Sequence, residues 1–497
     1  MSESRKKNKV LGNSMMYTVS AMLTKAVSFI MMPIYTNYIS PDQYGIVRVI
    51  NNFISVATYI VGLSLYSALM RFTSQYKNDT EKQRKLYGSI LTFVSFMGLI
   101  SIALCFLLRD VLEKLIFEGI PFFPYVLVGL IALFFRCQAN IHTHLLQGRQ
   151  EGKRLLIVHA VGCVLTVVIN LALLFGLKLE GLSVIISMLI VDMMYMIVML
   201  IELKHDNLLE IGIDMPILRE VLRYSVPLVP HQISTSIATL VSTVILKDRH
   251  SLSTVGLYNI ASSFSVAIDE VQSSVNRAFM PWFFETMDSD SDAKKTIGKF
   301  TSGMLRLYSV MYLGVGLFAQ EFVLLFTEKS YALSWTPVPI LVAAYSVKSI
   351  YYLYTDVLLY YKDPSKKLFI ATVTGSLLDI LLSAWLAGSM GMYGIALAFL
   401  IAKIVVQAIV YLIARPYAPN VGFNHWEMSK IVGTSLVFMA VGLIFSYTRL
   451  QETLSLLNFL YKLLIFALYL FLLYRSNPVA AKNIFHMIKK KFVKAKG

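Results

Sequence analysis

Apolar residues in this chain come in runs too long to be the buried stripe of a soluble helix. A helix rises about 1.5 Å per residue, so about 20 apolar residues cross the core of a bilayer. Fourteen such runs follow one another, at roughly 11–38, 44–70, 87–108, 121–147, 155–176, 180–203, 224–246, 256–280, 300–326, 335–361, 367–388, 391–414, 430–448 and 453–474. Backbone groups in lipid must pair within their own segment, so these runs are predicted to be helices. Almost nothing separates the two runs that meet at Gly391, which predicts a tight hairpin there. The expected fold class is an all-α polytopic membrane protein with about 14 transmembrane helices.

The pattern repeats. Shifted by about 211–213 positions, Tyr44-Gly45-Ile46 falls on Val255-Gly256-Leu257, and Ser14 falls on Ser225. Lys153-Arg154-Leu155 falls on Lys366-Lys367-Leu368, Gly162 on Gly375 and Gly181 on Gly394. One offset held across six helices points to two copies of a six-helix unit. Six is even, so the repeat is parallel rather than inverted. The expected organisation is an N-lobe over 1–203, a polar linker over 204–223, a C-lobe over 224–414, two further helices over 430–474 and a basic tail over 475–497. Met215 to Leu222 in the linker is expected to form a surface helix on the cytoplasmic side.

Composition narrows the class. The 497 residues are 57% hydrophobic and 15% charged, with a mean hydropathy of +0.65. A soluble domain carries about 25% charged residues, so this chain lacks the polar surface that water requires. The net charge of +16 would suit a nucleic-acid binder, but its distribution does not. With the N-terminus inside, 30 of the 45 Lys and Arg lie in inner loops and tails and 7 in outer loops. That asymmetry is the positive-inside pattern, and it places both termini of an inner-membrane protein in the cytoplasm. The loop with Lys247, Arg249 and His250 is the one poor fit. Lys489, Lys490, Lys491, Lys494 and Lys496 read either as a segment drawn to anionic lipid or as a solvated topology signal. The basic start, Ser2 to Lys9, precedes a run too long for a cleavable signal. Cys105, Cys137 and Cys163 lie in apolar runs without zinc spacing and read as core residues.

Polar residues inside the runs fall on defined faces. On the second helix these are Arg48, Asn52, Ser55, Tyr59 and Tyr66. On the eighth they are Asn259, Ser263, Glu270 and Arg277. The first helix carries Ser14, Thr18, Lys25 and Ser28, and the seventh Ser225, Gln232, Ser236 and Thr239. Matched faces on four helices predict a water-filled cavity between the two copies. A charge at the bilayer centre costs at least about 2.5–3.5 kcal/mol, so Lys25, Arg136, Lys348 and Lys403 require an explanation. Arg48, Arg277 and Arg306 lie nearer helix ends and can snorkel. Arg136, Asn140, His144 and Gln147 share one face, whereas His142 and His144 point to different sides and carry little metal signal. The candidate substrate-binding set is Lys25, Arg48, Asn52, Arg136, Arg277 and Lys348, a cationic lining suited to a phosphate or pyrophosphate. Asp192, Asp269, Glu270 and Asp379 also lie at depth, with Asp356 nearer the inner end. Asp269 or Glu270 can carry a coupling proton or ion, or can neutralise Lys25 or Arg277; both readings stand. Glu270 and Arg277, seven apart, read as too distant for direct pairing. No P-loop, HExxH or GxSxG motif is present, so no enzyme, cofactor or metal is expected.

An ordered set of local motifs carries a family resemblance over nearly the whole chain. Pro41-Asp42-Gln43-Tyr44-Gly45 resembles the Pro-x-x-Tyr-Gly turn of polysaccharide exporters. Leu222-Arg223-Tyr224-Ser225-Val226-Pro227-Leu228-Val229-Pro230 resembles the approach to their seventh helix. Val255-Gly256-Leu257-Tyr258 and Met280-Pro281 resemble the turn before and the end of their eighth. The chain therefore resembles the Wzx-type oligosaccharide flippases of the multidrug/oligosaccharidyl-lipid/polysaccharide (MOP) exporter superfamily, which also holds MurJ-type lipid II flippases and MATE drug exporters. The resemblance implies two lobes around a central cavity and alternating access. It implies movement of undecaprenyl-pyrophosphate-linked oligosaccharide for capsule, O-antigen or exopolysaccharide assembly, driven by a proton or sodium gradient or by membrane potential. Implied partners are membrane lipid, a polysaccharide polymerase and chain-length machinery, with no nucleic acid. Lys25 falls near a basic position of MurJ-like proteins, but Met31 and Met32 stand where a second basic residue and an acid are expected, which argues against lipid II. The rival readings are a teichoic-acid or peptidoglycan-precursor flippase, a cation-coupled multidrug exporter and a membrane glycosyltransferase or polymerase. The last lacks a loop long enough for a catalytic domain.

Overall fold

The computed structural model describes residues 3–289, 292–361 and 367–476. The lysine-rich end of the tail and Lys366 of the repeat lie outside the described residues, as does the side chain of Ser14. Among those described, all regular structure is helical. The α-helices are α1 (Glu3–Tyr38), α2 (Pro41–Gly62), α3 (Leu65–Gln75), α4 (Thr80–Leu107), α5 (Arg109–Leu115), α6 (Leu127–Gly148), α7 (Gly152–Leu171), α8 (Glu180–His205) and α9 (Met215–Ser225). They continue with α10 (Val229–Arg249), α11 (Leu252–Ser289), α12 (Ala293–Phe326), α13 (Val338–Tyr361), α14 (Leu368–Ala414), α15 (His425–Gly442), α16 (Ile444–Thr448) and α17 (Leu456–Ser476). All fourteen apolar runs fall on helix. By length and composition, nine helices among the described residues can cross a membrane, or up to 10 if a bent pair is counted as one span. Several of the rest carry the polar residues: Asp269, Glu270 and Arg277 on α11, Lys348, Asp356 and a row of tyrosines on α13.

The run over 44–70 is not a single helix, and one continuous element, α14, is two runs folded back on each other. The run over 44–70, expected unbroken, is interrupted between α2 and α3, where Leu63 and Ser64 both adopt left-handed backbone (φ 43° and 56°). That conformation is uncommon outside glycine and breaks the ladder. The Tyr66 position therefore no longer continues the stripe from Arg48. In α14 the interruption at Gly391 (φ 53°) is the expected hairpin. A Cβ on Gly394 would lie 2.4 Å from the Leu386 carbonyl oxygen. Eight residues of straight helix span about 12 Å, so the chain has folded back.

The chain forms two compact units, one of residues 1–259 with 376–395, the other of 260–375 with 396–497. The core of the first runs through Val49, Leu65, Leu86, Leu133, Leu145 and Met199, on α2, α3, α4, α6 and α8. The buried set of the second includes Leu305, Tyr312, Leu317, Val323, Trp335, Leu353 and Tyr354. Linker helix α9 is capped by Asp214, whose side chain accepts from the Ile217 amide at 3.0 Å. At the end of α10, Lys247 is buried; its Nζ donates to the Glu118 carbonyl at 2.9 Å and pairs with Asp248 at 2.7 Å. That neutralisation accounts for a basic residue in a loop where the charge pattern disfavours one.

Within the first unit, residues 211 apart play matching parts. Ser40 accepts from the Gln43 amide at the start of α2 (3.4 Å), and Ser251 from the Thr254 amide at the start of α11 (3.1 Å). A Cβ on Gly45 would lie 2.0 Å from the Leu252 carbonyl oxygen, and one on Gly256 would lie 2.0 Å from that of Pro41. Each glycine thus seats against the first residue of the other helix, a self-complementary contact of the kind a two-fold axis generates. Gly162 meets the Tyr195 hydroxyl in the first unit, and Gly375 meets Val406 in the second, each with a would-be Cβ near 2 Å. Gly45→Val or Gly256→Val should cost roughly 1–3 kcal/mol by overpacking and lower the thermal unfolding midpoint of purified protein. Gly303→Ala, whose added methyl meets nothing within 4 Å, should leave it unchanged.

Candidate functional site

In the first unit, Arg136 lies on α6 and Asp192 on α8. Arg136 Nε approaches Asp192 Oδ2 at 2.7 Å, with side-chain exposures of 36% and 4%. The N–H is not aligned on the oxygen, so charge and proximity hold this contact. The carboxylate is enclosed while the guanidinium keeps an open face with unused donors, which is the geometry of a cation able to take a second anion. Lys25, on α1, is exposed and makes no hydrogen bond or ion pair among the described residues. Arg48 is half-buried on α2. Asn52 is buried, and its Nδ2 donates to Thr243 Oγ1 on α10 at 2.8 Å. It joins two helices instead of facing open space.

The α2–α3 break brings further polar groups together. Ser64 Oγ donates to Gln232 Oε1 at 2.6 Å, the Tyr66 hydroxyl donates to the same oxygen, and Gln232 Nε2 donates to Ser67 Oγ at 3.3 Å. The Tyr66 ring packs against His144 with centroids 4.5 Å apart. Gln232 supplies what an interrupted helix needs, a side chain able to satisfy polar groups around the break. His142 turns the other way, burying its Nε2–H against Glu202 at 2.9 Å, and Arg154 reaches the same carboxylate at 2.7 Å. The two histidines thus serve different neighbours.

In the second unit, Lys348 Nζ on α13 donates to Asp269 Oδ2 on α11 at 2.8 Å, and the Tyr352 hydroxyl donates to Asp269 Oδ1 at 3.1 Å. Lys348 also lies over the rings of Tyr345 and Tyr352, 5.5 and 5.2 Å from their centroids. Arg277 Nη2 donates to Glu270 Oε1 at 3.1 Å and to the Ser274 hydroxyl at 3.0 Å, and its Nη1 donates to the Ser273 hydroxyl at 2.9 Å. This corrects the expectation that Glu270 and Arg277 are too far apart. Two helical turns rise about 10.5 Å, and two long side chains leaning towards each other close that gap. Lys403 lies over Phe399 at 4.7 Å. A separate charge pair joins α12 to α17: Lys462, fully buried, donates to Gln320 at 2.7 Å and Glu321 at 2.8 Å.

Three of the six candidate binding residues, Arg136, Arg277 and Lys348, are therefore paired with carboxylates, and both candidate coupling acids are the partners of two of them. The pairing tyrosines, Gln232 and the Asp192 contact were not separable by sequence from ordinary helix-face residues.

A family model described as polysaccharide biosynthesis protein matches residues 10–287, more than half of the chain. The chain belongs to this polysaccharide biosynthesis family. Among solved structures, lipid II flippase MurJ in an inward closed conformation aligns with a TM-score of 0.69 at 15% identity, covering 93% of this chain and 99% of that one. An inward-facing multidrug resistance MATE transporter of the MOP superfamily gives 0.66 at 14%, covering 81% and 95%. A MOP superfamily transporter from Pyrococcus furiosus gives 0.56 at 14%, covering 83% and 96%. No curated protein sequence matches. At such identities the structural likeness speaks to fold, and the fold is that of the MOP transporters. The polysaccharide-family chain is a multi-pass membrane protein whose fold neighbours are transporters and flippases.

Because Asp269 and Lys348 are each partly enclosed, removing either strands the other. Asp269→Asn and Lys348→Met should each lower stability by about 1–3 kcal/mol, and the double variant should lose less than the sum. A thermal double-mutant cycle without coupling would contradict the pair.

Proposed function

We propose that this protein is a flippase for undecaprenyl-pyrophosphate-linked oligosaccharide in the bacterial inner membrane. It would serve capsule, O-antigen or exopolysaccharide assembly by alternating access. The observation that carries the reading is Arg136: a half-open guanidinium at the depth of a membrane span, on a chain of the polysaccharide biosynthesis family. A lipid-linked sugar presents a diphosphate to such a group, and its polyprenyl tail needs no polar contact. Lys25 and Arg48 on the same unit add cations, while Asn52 serves to join α2 to α10; Arg277 and Lys348 offer paired cations on the second unit. The reading includes fourteen spans in two six-helix copies plus two helices, supported by the matched caps and glycines 211 residues apart. Both termini are cytoplasmic in it, the energy source is an ion gradient or membrane potential, no cofactor is required, and a polymerase with chain-length machinery takes the product. A second reading, a peptidoglycan-precursor flippase, is favoured by the likeness to MurJ. Met31 and Met32, both buried on α1, leave no charge at the positions where that function's relatives are expected to carry it.

The test is transbilayer movement of a pyrophosphate-linked polyprenyl oligosaccharide in proteoliposomes. Wild type should transport it, and folded Arg136→Glu and Lys25→Glu variants should lose about 10-fold or more, since one charge-assisted contact is worth roughly 1.5–3 kcal/mol. Wild type that moves dyes and no glycan lipid would sink the reading in favour of drug export.

A further inference from the structure

Asp269 and Glu270 already face cations, so protonating either would leave Lys348 or Arg277 without its counter-charge. Asp356, one face of α13 away, is built differently. It is 1% exposed and has no Lys, Arg or His partner among the described residues. Its Oδ1 accepts one hydrogen bond, from Asn276 Nδ2 on α11 at 3.2 Å. Its Oδ2 is buried without a hydrogen-bond partner, and so is the Oδ1 of the same Asn276. A carboxylic acid and a primary amide join through two hydrogen bonds, amide N–H to one carboxyl oxygen and carboxyl O–H to the amide oxygen. Here the first bond is made. The second lacks only a hydrogen, because both remaining atoms are acceptors when the carboxyl is ionised. One proton on Oδ2 would satisfy both.

Among the described residues, these charged groups on the elements around Asp356 have partners of their own. On α11, Asp269 is held by Lys348 and Glu270 by Arg277. On α12, Arg306 pairs with Glu427 of α15, and Tyr308 is buried with an unpartnered hydroxyl. On α15, His425 stacks on Tyr411 of α14 and contacts the Tyr354 hydroxyl. Before α13, Glu328 caps the Ser330 amide. An ionised carboxylate enclosed without a cation is costly, whereas a neutral acid ringed to an amide is not.

We propose that Asp356, with Asn276 as its partner, is a proton-binding site through which the transport cycle is coupled to a proton gradient. The proposal rests on the transporter reading for its coupling role, while proton binding itself is independent of cargo. Binding makes one O–H bond and one O–H···O hydrogen bond; release leaves a carboxylate that needs water, so the proton can leave only when this part of the second unit opens. Asp356→Asn mimics the protonated form, since an amide at 356 can complete the same two-bond ring, and so should fold.

The experiment uses full-length protein reconstituted in phosphatidylethanolamine–phosphatidylglycerol vesicles. Difference infrared spectra on acidification should show the carbonyl stretch of a protonated carboxylic acid in wild type and lose it in Asp356→Asn. Asn276→Leu, which removes the amide, should shift that band. Stimulation of glycan-lipid transport by an inward or outward pH gradient should fall by roughly tenfold or more in Asp356→Asn. A band that survives Asp356→Asn, or vanishes only in Asp269→Asn, would overturn the assignment. Retained pH-gradient stimulation in Asp356→Asn, or wild-type transport that follows sodium alone, would overturn the coupling role. If wild type moves no glycan lipid yet the band is lost with Asp356, the cargo reading fails and the proton site stands.

Discussion

A charge placed in a membrane span has to be answered by a partner or by water, and the arrangement of helices here follows from how each one is answered. Arg136 ties α6 to α8 through Asp192, Lys348 ties α13 to α11 through Asp269, and Lys462 ties α17 to α12 through Glu321. Arg277 finds Glu270 within its own helix. Apolar packing alone does little to fix which face of a helix meets which neighbour in lipid, because lipid is as apolar as leucine. A charge pair leaves little freedom. Sliding either helix by one turn, about 5.4 Å, would strand two ions in a medium that solvates neither. These pairs therefore set register, whatever they add to stability.

Close backbone contact is the second device, and it works where no side chain intervenes. Gly45 and Gly256 let the starts of α2 and α11 meet backbone to backbone, each against the first residue of the other helix. Their serine caps, Ser40 and Ser251, satisfy amides at the helix starts that have no partner within the helix. The offset between the two sets is the offset read from the sequence. One of the scattered matches in the chain is, in three dimensions, one contact made twice.

What the sequence made legible was whatever depends on period and length. The fourteen apolar runs are helices, Gly391 is a reversal, and Met215 to Leu222 lies within a helix. What it hid depends on reach and on partners. The break at Leu63 and Ser64 carries no proline and only a neighbouring Gly62, so nothing local announces two consecutive left-handed residues. Asn52 lies on the polar stripe, yet its partner Thr243 is 191 residues away. Cα spacing sets Glu270 and Arg277 two helical turns apart, whereas two flexible side chains decide the distance. The Asn276–Asp356 contact was invisible for the same reason: a helical wheel gives the face of each residue and not what stands opposite.

The pairing of the cations bears on how a carrier for an anionic lipid can work. An unpaired guanidinium buried in a span would bind a diphosphate tightly and release it slowly, since nothing else could answer its charge. Binding that is equally strong in every state moves no equilibrium. On the proposed reading, Asp192 gives Arg136 an internal partner with which a diphosphate would compete, and a release state in which the charge is still satisfied. Exchange of one carboxylate for a diphosphate then costs little in either direction, and a modest change in geometry can tip it. On the proposed reading, Asp192 is therefore as necessary to turnover as Arg136 is to capture. A site read from its cations alone describes only the half of the cycle in which cargo is held.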